Sequence, residues 1–177
     1  MRRILLVDDE LNILHALQRS LRQFCKEKGL QIDLCTSPQA AIQKVSDTRY
    51  DFVISDYHMP GMNGVDLLRV VKELQPETVR LMLSGSADFN TIMGAVNEAE
   101  VFRYIVKPWD NVELEEIVGL ALQHRDQSLN EKQLADEMRL QRGELTPQEL
   151  EARRLEQSEP GITKVKWGPD GSVMLDD

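Results

Sequence analysis

Short apolar runs alternate along the chain with longer segments whose apolar residues follow a helical spacing. Five runs have the length of a β-strand: ILLV (4–7), IDLC (32–35), FVIS (52–55), LML (81–83) and FRYIV (102–106). Several of them lack strict alternation of apolar and polar residues, which is typical of strands buried on both faces of a parallel sheet. We expect these runs to form the central sheet of the molecule.

Five amphipathic segments predict helices between and after these runs. Their apolar positions are Leu11 to Leu21, Ala40 to Val45, Leu67 to Val71, Ile92 to Val96 and Leu114 to Leu122. The first helix is expected to stop at Gly29, and the second has Ser37 as its candidate N-cap and Pro38 at its first position. Asp110 is the candidate N-cap of the last helix, with Glu113 three residues later.

The alternation of five strands with five helices predicts an α/β fold with right-handed βαβ crossovers and a doubly wound parallel sheet. Ligands of such sheets bind beyond the carboxyl ends of the strands. The polar residues expected at those ends are Asp8, Asp9, Asp56, Ser84 and Lys107. They are the first candidates for a functional site.

The composition changes after residue 124. Residues 125–159 contain no aromatic residue and many Gln, Glu and Arg residues, which predicts solvated helices. Gly143 interrupts this stretch, and TPQE (146–149) predicts a new helix with a capping box formed by Thr146 and Glu149. The apolar residues do not keep one heptad register, so a long regular coiled coil is not favoured. The predicted parts of the chain are a domain at 1–124, a helical extension at 125–159 and a terminal segment at 160–177.

The terminal segment predicts a β-hairpin, because two β-prone runs flank the turn signal GPDG (168–171). Val165 and Trp167 share one face of the first run, and Val173 and Leu175 share one face of the second. An isolated two-stranded hairpin is marginally stable in water. We therefore expect it to pack on the first domain, on a second copy of the chain or on a partner's edge strand, with a disordered end as the alternative.

Composition disfavours several classes of function. The chain of 177 residues has a formal net charge of −9 and a pI near 4.9, whereas nucleic-acid binding needs a clustered basic surface. Cys25 and Cys35 fit neither a metal-ligand spacing nor a disulfide framework. The amino terminus, MRRILLVDDE, is typical of a buried strand, and no segment reaches membrane-spanning length. We expect a cytoplasmic protein that contacts neither nucleic acid nor a membrane.

The residues at the predicted strand ends suit phosphoryl chemistry. Three carboxylates at neighbouring strand ends repel one another unless a cation lies between them, and oxygen ligands alone favour Mg²⁺. Lys107 would supply a positive charge for a phosphoryl group, and the Ser84 hydroxyl could donate to a phosphoryl oxygen. Asp56 would then attack phosphorus and become an acyl phosphate. Taken singly, Asp9 could instead cap a helix and Asp56 a turn, so the prediction depends on their joint placement.

Four motifs resemble the receiver domain of two-component response regulators, the CheY-like family. They are LLVDDE (5–10), VISDYHMPGMNG (53–64), LMLSG (81–85) and YIVKP (104–108), and the resemblance covers residues 1–124. It implies a five-stranded sheet in the order 2-1-3-4-5, the flavodoxin-like arrangement. The tail, with eight Lys or Arg and twelve Asp or Glu in residues 125–177, disfavours a DNA-binding helix-turn-helix.

The resemblance also assigns roles to particular residues. Asp56 would be the phosphoacceptor, and Mg²⁺ (or Mn²⁺) would be held by Asp9, Asp56 and the main-chain carbonyl of His58, with Asp8 contributing through water. Lys107 would contact the phosphoryl group, and its bond to Pro108 would be cis. Ser84 and Tyr104 would form the switch pair, with Tyr104 turning inward after phosphorylation. We add the hypothesis that the His58 side chain tunes the lifetime of the acyl phosphate, the alternative being a solvent-facing loop histidine.

Three functions are consistent with these residues. The favoured one is a stand-alone, non-enzymatic receiver that accepts a phosphoryl group from a sensor histidine kinase or a histidine phosphotransfer protein. Phosphorylation would switch a contact with a downstream protein or a homodimer, to which the tail contributes. The second is a phosphorelay intermediate that passes the group to another histidine. The third is a metal-dependent phosphohydrolase, which is disfavoured because such enzymes carry an Asp-x-Asp pair on the first strand, whereas Asp8 and Asp9 are adjacent.

Overall fold

The computed structural model describes residues 2–85 and 99–158, together with the backbone of two short strands at 166–167 and 173–174. The strands are β1 (Arg2–Val7), β2 (Leu30–Cys35), β3 (Phe52–Asp56), β4 (Val79–Gly85), β5 (Arg103–Lys107), β6 (Lys166–Trp167) and β7 (Val173–Met174). The described helices are α1 (Leu11–Lys28), α2 (Pro38–Asp47), α3 (Gly64–Leu74), α4 (Asn111–Gln141) and α5 (Pro147–Ser158). The predicted helix at Ile92 to Val96 lies outside the described residues.

The first five strands form one parallel sheet in the order β2-β1-β3-β4-β5. This confirms the predicted fold class and strand order. Strand β3 is buried along its whole length, as its continuous apolar run predicted. Helices α1 and α4 bury their apolar stripes against one face of the sheet, and α2 and α3 bury theirs against the other.

Local sequence signals account for the ends of several helices. Gly29 ends α1 in the left-handed conformation, with φ of +64°, which costs little without a Cβ atom. The Ser37 hydroxyl caps α2 by accepting a hydrogen bond from the Ala40 N–H. Asp110 caps α4 by accepting from the N–H groups of Val112 and Glu113. These three predictions are confirmed.

The tail is helical, as predicted, but the first part of it continues a helix of the sheet domain. Helix α4 runs unbroken through residue 124 to Gln141, so the domain boundary there stays a prediction. Gly143, with φ of +72°, lies in the turn that follows. Thr146 and Glu149 then form the reciprocal capping box that starts α5. The Arg153 guanidinium donates to the buried Asp136 carboxylate at 2.8 Å, which links α5 back to α4.

Ion pairs join the extended part of α4 to the sheet domain. Arg125 pairs with Asp51 at 2.9 Å, immediately before the start of β3. Lys132 pairs with Glu77, just before β4. The tail therefore lies at the end of the sheet where the strands begin, opposite the predicted site.

The terminal hairpin is described only by its backbone. Strands β6 and β7 pair antiparallel, with Lys166 opposite Met174 and Trp167 opposite Val173, as the sequence predicted. The predicted apolar face formed by Val165, Trp167, Val173 and Leu175 involves side chains outside the described part of the chain. Its docking stays a prediction.

Candidate functional site

Strand register brings the predicted site residues to one edge of the sheet. Strands β1, β3, β4 and β5 are parallel neighbours, with Val7 beside Ser55 and Asp56 beside Leu83. Ser84 pairs with Val106 in the next strand. Asp8, Asp56, Ser84 and Lys107 therefore stand at the carboxyl end of this sheet, where ligands of doubly wound folds bind.

Lys107 lies between two carboxylates that are distant in sequence. Its Nζ atom is 2.7 Å from Asp56 Oδ1 and 3.0 Å from Asp8 Oδ2. Both carboxylates are buried, Asp8 entirely. Burial by itself lowers the pKa of Lys107, but its hydrogen bonds and charge interactions with Asp56 and Asp8 outweigh burial and raise that pKa. Lys107 is consequently a fixed positive charge at neutral pH.

Burial also governs Asp56. Desolvation raises the pKa of its carboxyl, and the hydrogen bond and charge of Lys107 offset only part of that rise. The neighbouring Asp8 carboxylate adds to the rise. Asp56 is thus an ionisable group kept in an environment that gives its negative charge little solvation, as is common for groups that react or bind ions.

The three acidic residues are close enough to share one cation. Ligand oxygens of Asp8, Asp9 and Asp56 lie within 4.8 Å of one another. Asp9 is exposed and the other two are buried, which gives the cluster one open side. A set of carboxylate oxygens suits a hard divalent cation such as Mg²⁺, which completes its coordination with water. The residues present therefore fit the predicted metal.

Asp9 does not cap the following helix. The N-cap of α1 is Glu10, which makes no capping hydrogen bond with its side chain. Instead, Asp8 Oδ1 accepts a hydrogen bond from the Glu10 N–H at 2.8 Å. The alternative that Asp9 serves only as the cap of the following helix is therefore wrong.

Gly64 supports the site in a way that sequence reasoning did not identify. A Cβ atom at this position would lie 2.1 Å from the main-chain oxygen of Asp56. Its N–H donates to the Tyr57 carbonyl at 2.8 Å, and Asn63 caps α3 through the Asp66 N–H. The Asn-Gly pair before an apolar run signals a helix start, but not the close approach to Asp56.

The two predicted switch residues lie on adjacent strands. Ser84 is buried on β4, and Tyr104 on β5 pairs with Met82, two residues before Ser84. Ser84, Met82 and Tyr104 therefore share one face of the sheet. The Tyr104 hydroxyl oxygen is buried, and desolvation raises the pKa of that phenol.

His58 and Pro108 border the site. The His58 side chain is exposed, and its ring lies edge-on to that of Tyr57 with centroids 4.6 Å apart. The Lys107–Pro108 peptide bond is cis, as the resemblance implied. Trp109 follows, and its indole Nε1–H donates to the Ser20 hydroxyl of α1 at 3.1 Å.

Comparison with known proteins agrees with this geometry. Residues 4–119 match the family model described as the response regulator receiver domain. The chain belongs to this family. The receiver shares 35% identity over 106 residues with the hydrogenase transcriptional regulatory protein HoxA of Cupriavidus necator, covering 60% of this chain and 21% of that protein. It shares 35% identity over 107 residues with the regulatory protein VanRB of Enterococcus faecalis, covering 60% of this chain and 46% of that protein.

A solved structure supports the same assignment. The signal receiver domain of an HD domain-containing protein from Pseudomonas fluorescens Pf-5 superposes with a TM-score of 0.67 at 34% identity, covering 73% of this chain and 92% of that one. The receiver thus corresponds to a minor part of the curated regulators HoxA and VanRB.

Receiver domains bind Mg²⁺ at an acidic pocket, and response regulators receive their phosphoryl group from a histidine kinase. None of the described helices combines the length and apolar content needed to cross a bilayer.

Proposed function

We propose that Asp56 accepts a phosphoryl group from a histidine kinase and that the modified receiver switches a contact with a downstream protein or with a second copy of the chain. The supporting observation is the position of the Asp56 carboxylate at the open edge of the sheet, 2.7 Å from Lys107 Nζ and within reach of two further carboxylates. The proposal depends on the joint placement of these residues and not on any one of them.

The chemistry is a transfer from nitrogen to oxygen. An Asp56 carboxylate oxygen attacks phosphorus, the bond from phosphorus to the imidazole nitrogen of the donor breaks, and that nitrogen keeps the electron pair. Asp56 is poorly solvated in its ionised form, which favours its reaction with an electrophile. Lys107 carries a positive charge next to the attacking oxygen, where it can stabilise charge on the phosphoryl oxygens.

A divalent cation fits this scheme. Asp9, Asp56 and the main-chain carbonyl of His58 would hold Mg²⁺ or Mn²⁺, with Asp8 contributing through water. When bound, the ion supplies Lewis-acid neutralisation of the phosphoryl oxygens. The residues of the chain orient the acceptor oxygen and hold it opposite Lys107.

The switch would run from Asp56 along β4 to β5. The Ser84 hydroxyl would move to a phosphoryl oxygen, and Tyr104 would occupy the space on the same face of the sheet. This is a population shift between two states that the new charge biases. Residues 1–124 would form the switching domain, and residues 125–159 a helical extension that contributes to dimerisation or partner binding, followed by the segment at 160–177.

Phosphotransfer profiling tests the acceptor. The purified chain would be mixed with autophosphorylated histidine kinases, and label should move to the wild type and not to Asp56→Asn. Asp47→Asn, an exposed acidic residue at the end of α2, is the matched control and should be labelled normally. Equal labelling of the Asp56→Asn variant would refute the proposal. Onward movement of label to a histidine phosphotransfer protein would identify a phosphorelay intermediate.

Size measurement tests the switch separately. The full chain would be sized with and without beryllofluoride, which mimics the phosphoryl group on an aspartate. A homodimer switch predicts a larger species with the mimic, and none in the Asp56→Asn variant. An unchanged size would remove the dimer and leave the partner contact, to be examined by pull-down with the mimic present.

A further inference from the structure

A cleft of about 420 Å³ lies between the sheet domain and the two tail helices, the end of α4 and α5. It lies at the end of the sheet where the strands begin. Arg125, which lines the cleft, pairs there with Asp51, just before β3. Asp56 is at the other end of β3, roughly 16 Å away at about 3.3 Å per residue. The cleft is therefore separate from the phosphoryl-acceptor site.

The charged side chains of this cleft are three arginines, Arg49, Arg125 and Arg154, and one acid, Asp136. Asp136 is already neutralised, because Arg153 lies 2.8 Å and Arg139 lies 3.8 Å from its Oδ1 atom. Arg154 has only a long ion pair with Glu137, at 3.9 Å. Arg125 is paired with Asp51 at 2.9 Å, so Arg49 is the lining arginine without a close ion pair among the described residues.

Arg49 makes no hydrogen bond and no close ion pair with a residue that the structure describes, although it is half-buried. Burial lowers the pKa of its guanidinium and the charge of Arg125 lowers it further, while the charges of Glu77, Asp51 and Glu156 act in the opposite direction. Arg49 and Arg125 thus line the same cleft with like charges.

Arg125 has an unused donor at the same place. One terminal nitrogen of its guanidinium, Nη1, pairs with Asp51 at 2.9 Å, and only 11% of the side chain is exposed. Its Nε–H is buried and has no acceptor among the residues that the structure describes. Buried donors are rarely left unsatisfied in folded proteins, so an acceptor is expected from outside the described chain. Because Arg49 and Arg154 line the same cleft as Arg125, a negatively charged acceptor fits this position best.

We propose that this cleft binds a small molecule that carries a phosphate or diphosphate group. Guanidinium groups bind phosphate oxygens through paired hydrogen bonds, and three of them surround this cleft. The volume falls in the range of small-molecule sites, and the amides of Gln133 and Gln157 provide further polar contacts. Arg49 belongs to the sheet domain and Arg154 belongs to α5. A ligand bound to both would therefore hold α5 and the end of α4 against the receiver.

Calorimetric titration of the full chain with inorganic pyrophosphate tests this proposal. The buffer would contain EDTA, so that no metal recruits the anion to the Asp56 site, and NaCl would keep the ionic strength constant. We expect one bound pyrophosphate per chain and an increase in the melting temperature. Arg49→Gln should weaken binding about tenfold or more, since it removes a charge-assisted contact. Arg142→Gln, an exposed residue in the turn after α4, makes the same change of charge outside the cleft and should bind normally.

A second measurement addresses folding and the source of the phosphate. Without ligand, Arg49→Gln should melt at about the same temperature as the wild type, because Arg49 makes no hydrogen bond with a described residue and charges of both signs act on it. If ADP binds at least about tenfold tighter than pyrophosphate, the site is assigned to a nucleotide. If the two bind equally, the site is assigned to the diphosphate group alone. Absence of pyrophosphate and ADP binding, or equal binding by the Arg49→Gln and Arg142→Gln variants, would overturn the proposal.

Discussion

Lys107 lies between two buried carboxylates, with its Nζ atom 2.7 Å from Asp56 Oδ1 and 3.0 Å from Asp8 Oδ2. Its ammonium group is within hydrogen-bond distance of both. Removing one member of a buried ionic cluster leaves the other charges uncompensated, which is strongly destabilising. The same residue thus stabilises the two carboxylates and, in the proposed function, would supply charge for the phosphoryl group.

We predict that Lys107→Met lowers the free energy of unfolding by about 3 kcal/mol without divalent cations. Urea denaturation at pH 7 in EDTA measures this. Lys44→Met, at an exposed position of α2, removes the same charge and should change stability little. An unchanged midpoint for Lys107→Met would show that the two carboxylates do not need this cation.

Gly64 allows α3 to begin directly against the main chain of Asp56. A Cβ atom there would lie 2.1 Å from the Asp56 oxygen and 3.0 Å from the Met82 sulfur. We predict that Gly64→Ala lowers the free energy of unfolding by about 2 kcal/mol and slows phosphorylation, because the acceptor backbone must shift. Urea denaturation and the rate of labelling by acetyl phosphate measure the two effects.

Gly119→Ala is the control for this substitution. Gly119 lies inside α4, and a Cβ atom there would meet only Phe24, at 3.9 Å. Alanine should therefore raise stability by about 0.5–1 kcal/mol through its helix propensity. If both variants were stabilised, the close approach of Gly64 to Asp56 would have no energetic consequence.

The positions of individual residues were predictable where the sequence carries a local signal. Asp8, Asp9, Asp56 and Lys107 could be placed at one edge of the sheet because each ends or follows an apolar run, and the capping residues Ser37 and Asp110 because they precede helical patterns. The approach of Gly64 to Asp56, the burial of Asp136 and the cleft beside Arg49 depend on contacts with distant segments. No local pattern marks those contacts, so only the folded chain reveals them.

At the scale of elements, β4 is tied to the chain that enters β5. The Arg80 guanidinium is 7% exposed, with its Nε–H 2.8 Å from the Ala99 carbonyl and an Nη–H 2.6 Å from the Thr78 carbonyl. The Glu100 carboxylate lies 3.5 Å away and also pairs with Lys72 at 2.6 Å. Because β4 carries Ser84 and β5 carries Tyr104, Arg80 positions the two strands on which the proposed switch depends.

We predict that Arg80→Gln lowers the free energy of unfolding by about 3 kcal/mol, because it leaves buried carbonyl groups without donors. Arg103→Gln is the control, since Arg103 is an exposed residue of β5 whose guanidinium lies 5.3 Å from the Phe102 ring. Its loss should cost less than about 1 kcal/mol. Equal effects of the two variants on urea denaturation would contradict the role given to Arg80.

Strand positions were easier to predict from sequence than the extent of the helices. The five apolar runs correspond to β1 to β5, within two residues at either end. In β1, β3 and β4 the run is apolar because most of the strand is buried on both faces of the sheet. Helices were expected over Leu114 to Leu122 and again after residue 124, and the structure joins them into one helix that ends at Gln141. The sequence did not show that they are continuous, and the contacts of the second half with the sheet domain include the ion pairs of Arg125 and Lys132.

At the scale of the whole molecule, topology assembles the site from residues that are far apart in sequence. The crossovers of a doubly wound sheet bring the carboxyl ends of β1, β3, β4 and β5 to one edge, which places Lys107 beside Asp8. The alternation of strands and helices predicted this edge, and the motifs predicted its chemistry. The opposite end, where the tail meets the start of the sheet, carried no such signal, because packing between a polar helix and a loop follows no simple sequence rule.

Intact-mass measurement after incubation with acetyl phosphate and Mg²⁺ tests the central claim most directly. The account predicts that the wild-type chain gains the mass of one phosphoryl group, that EDTA prevents the gain, and that Asp56→Asn shows none. A wild-type mass that does not change, or an equal gain by the Asp56→Asn variant, would contradict the assignment of Asp56 as the acceptor.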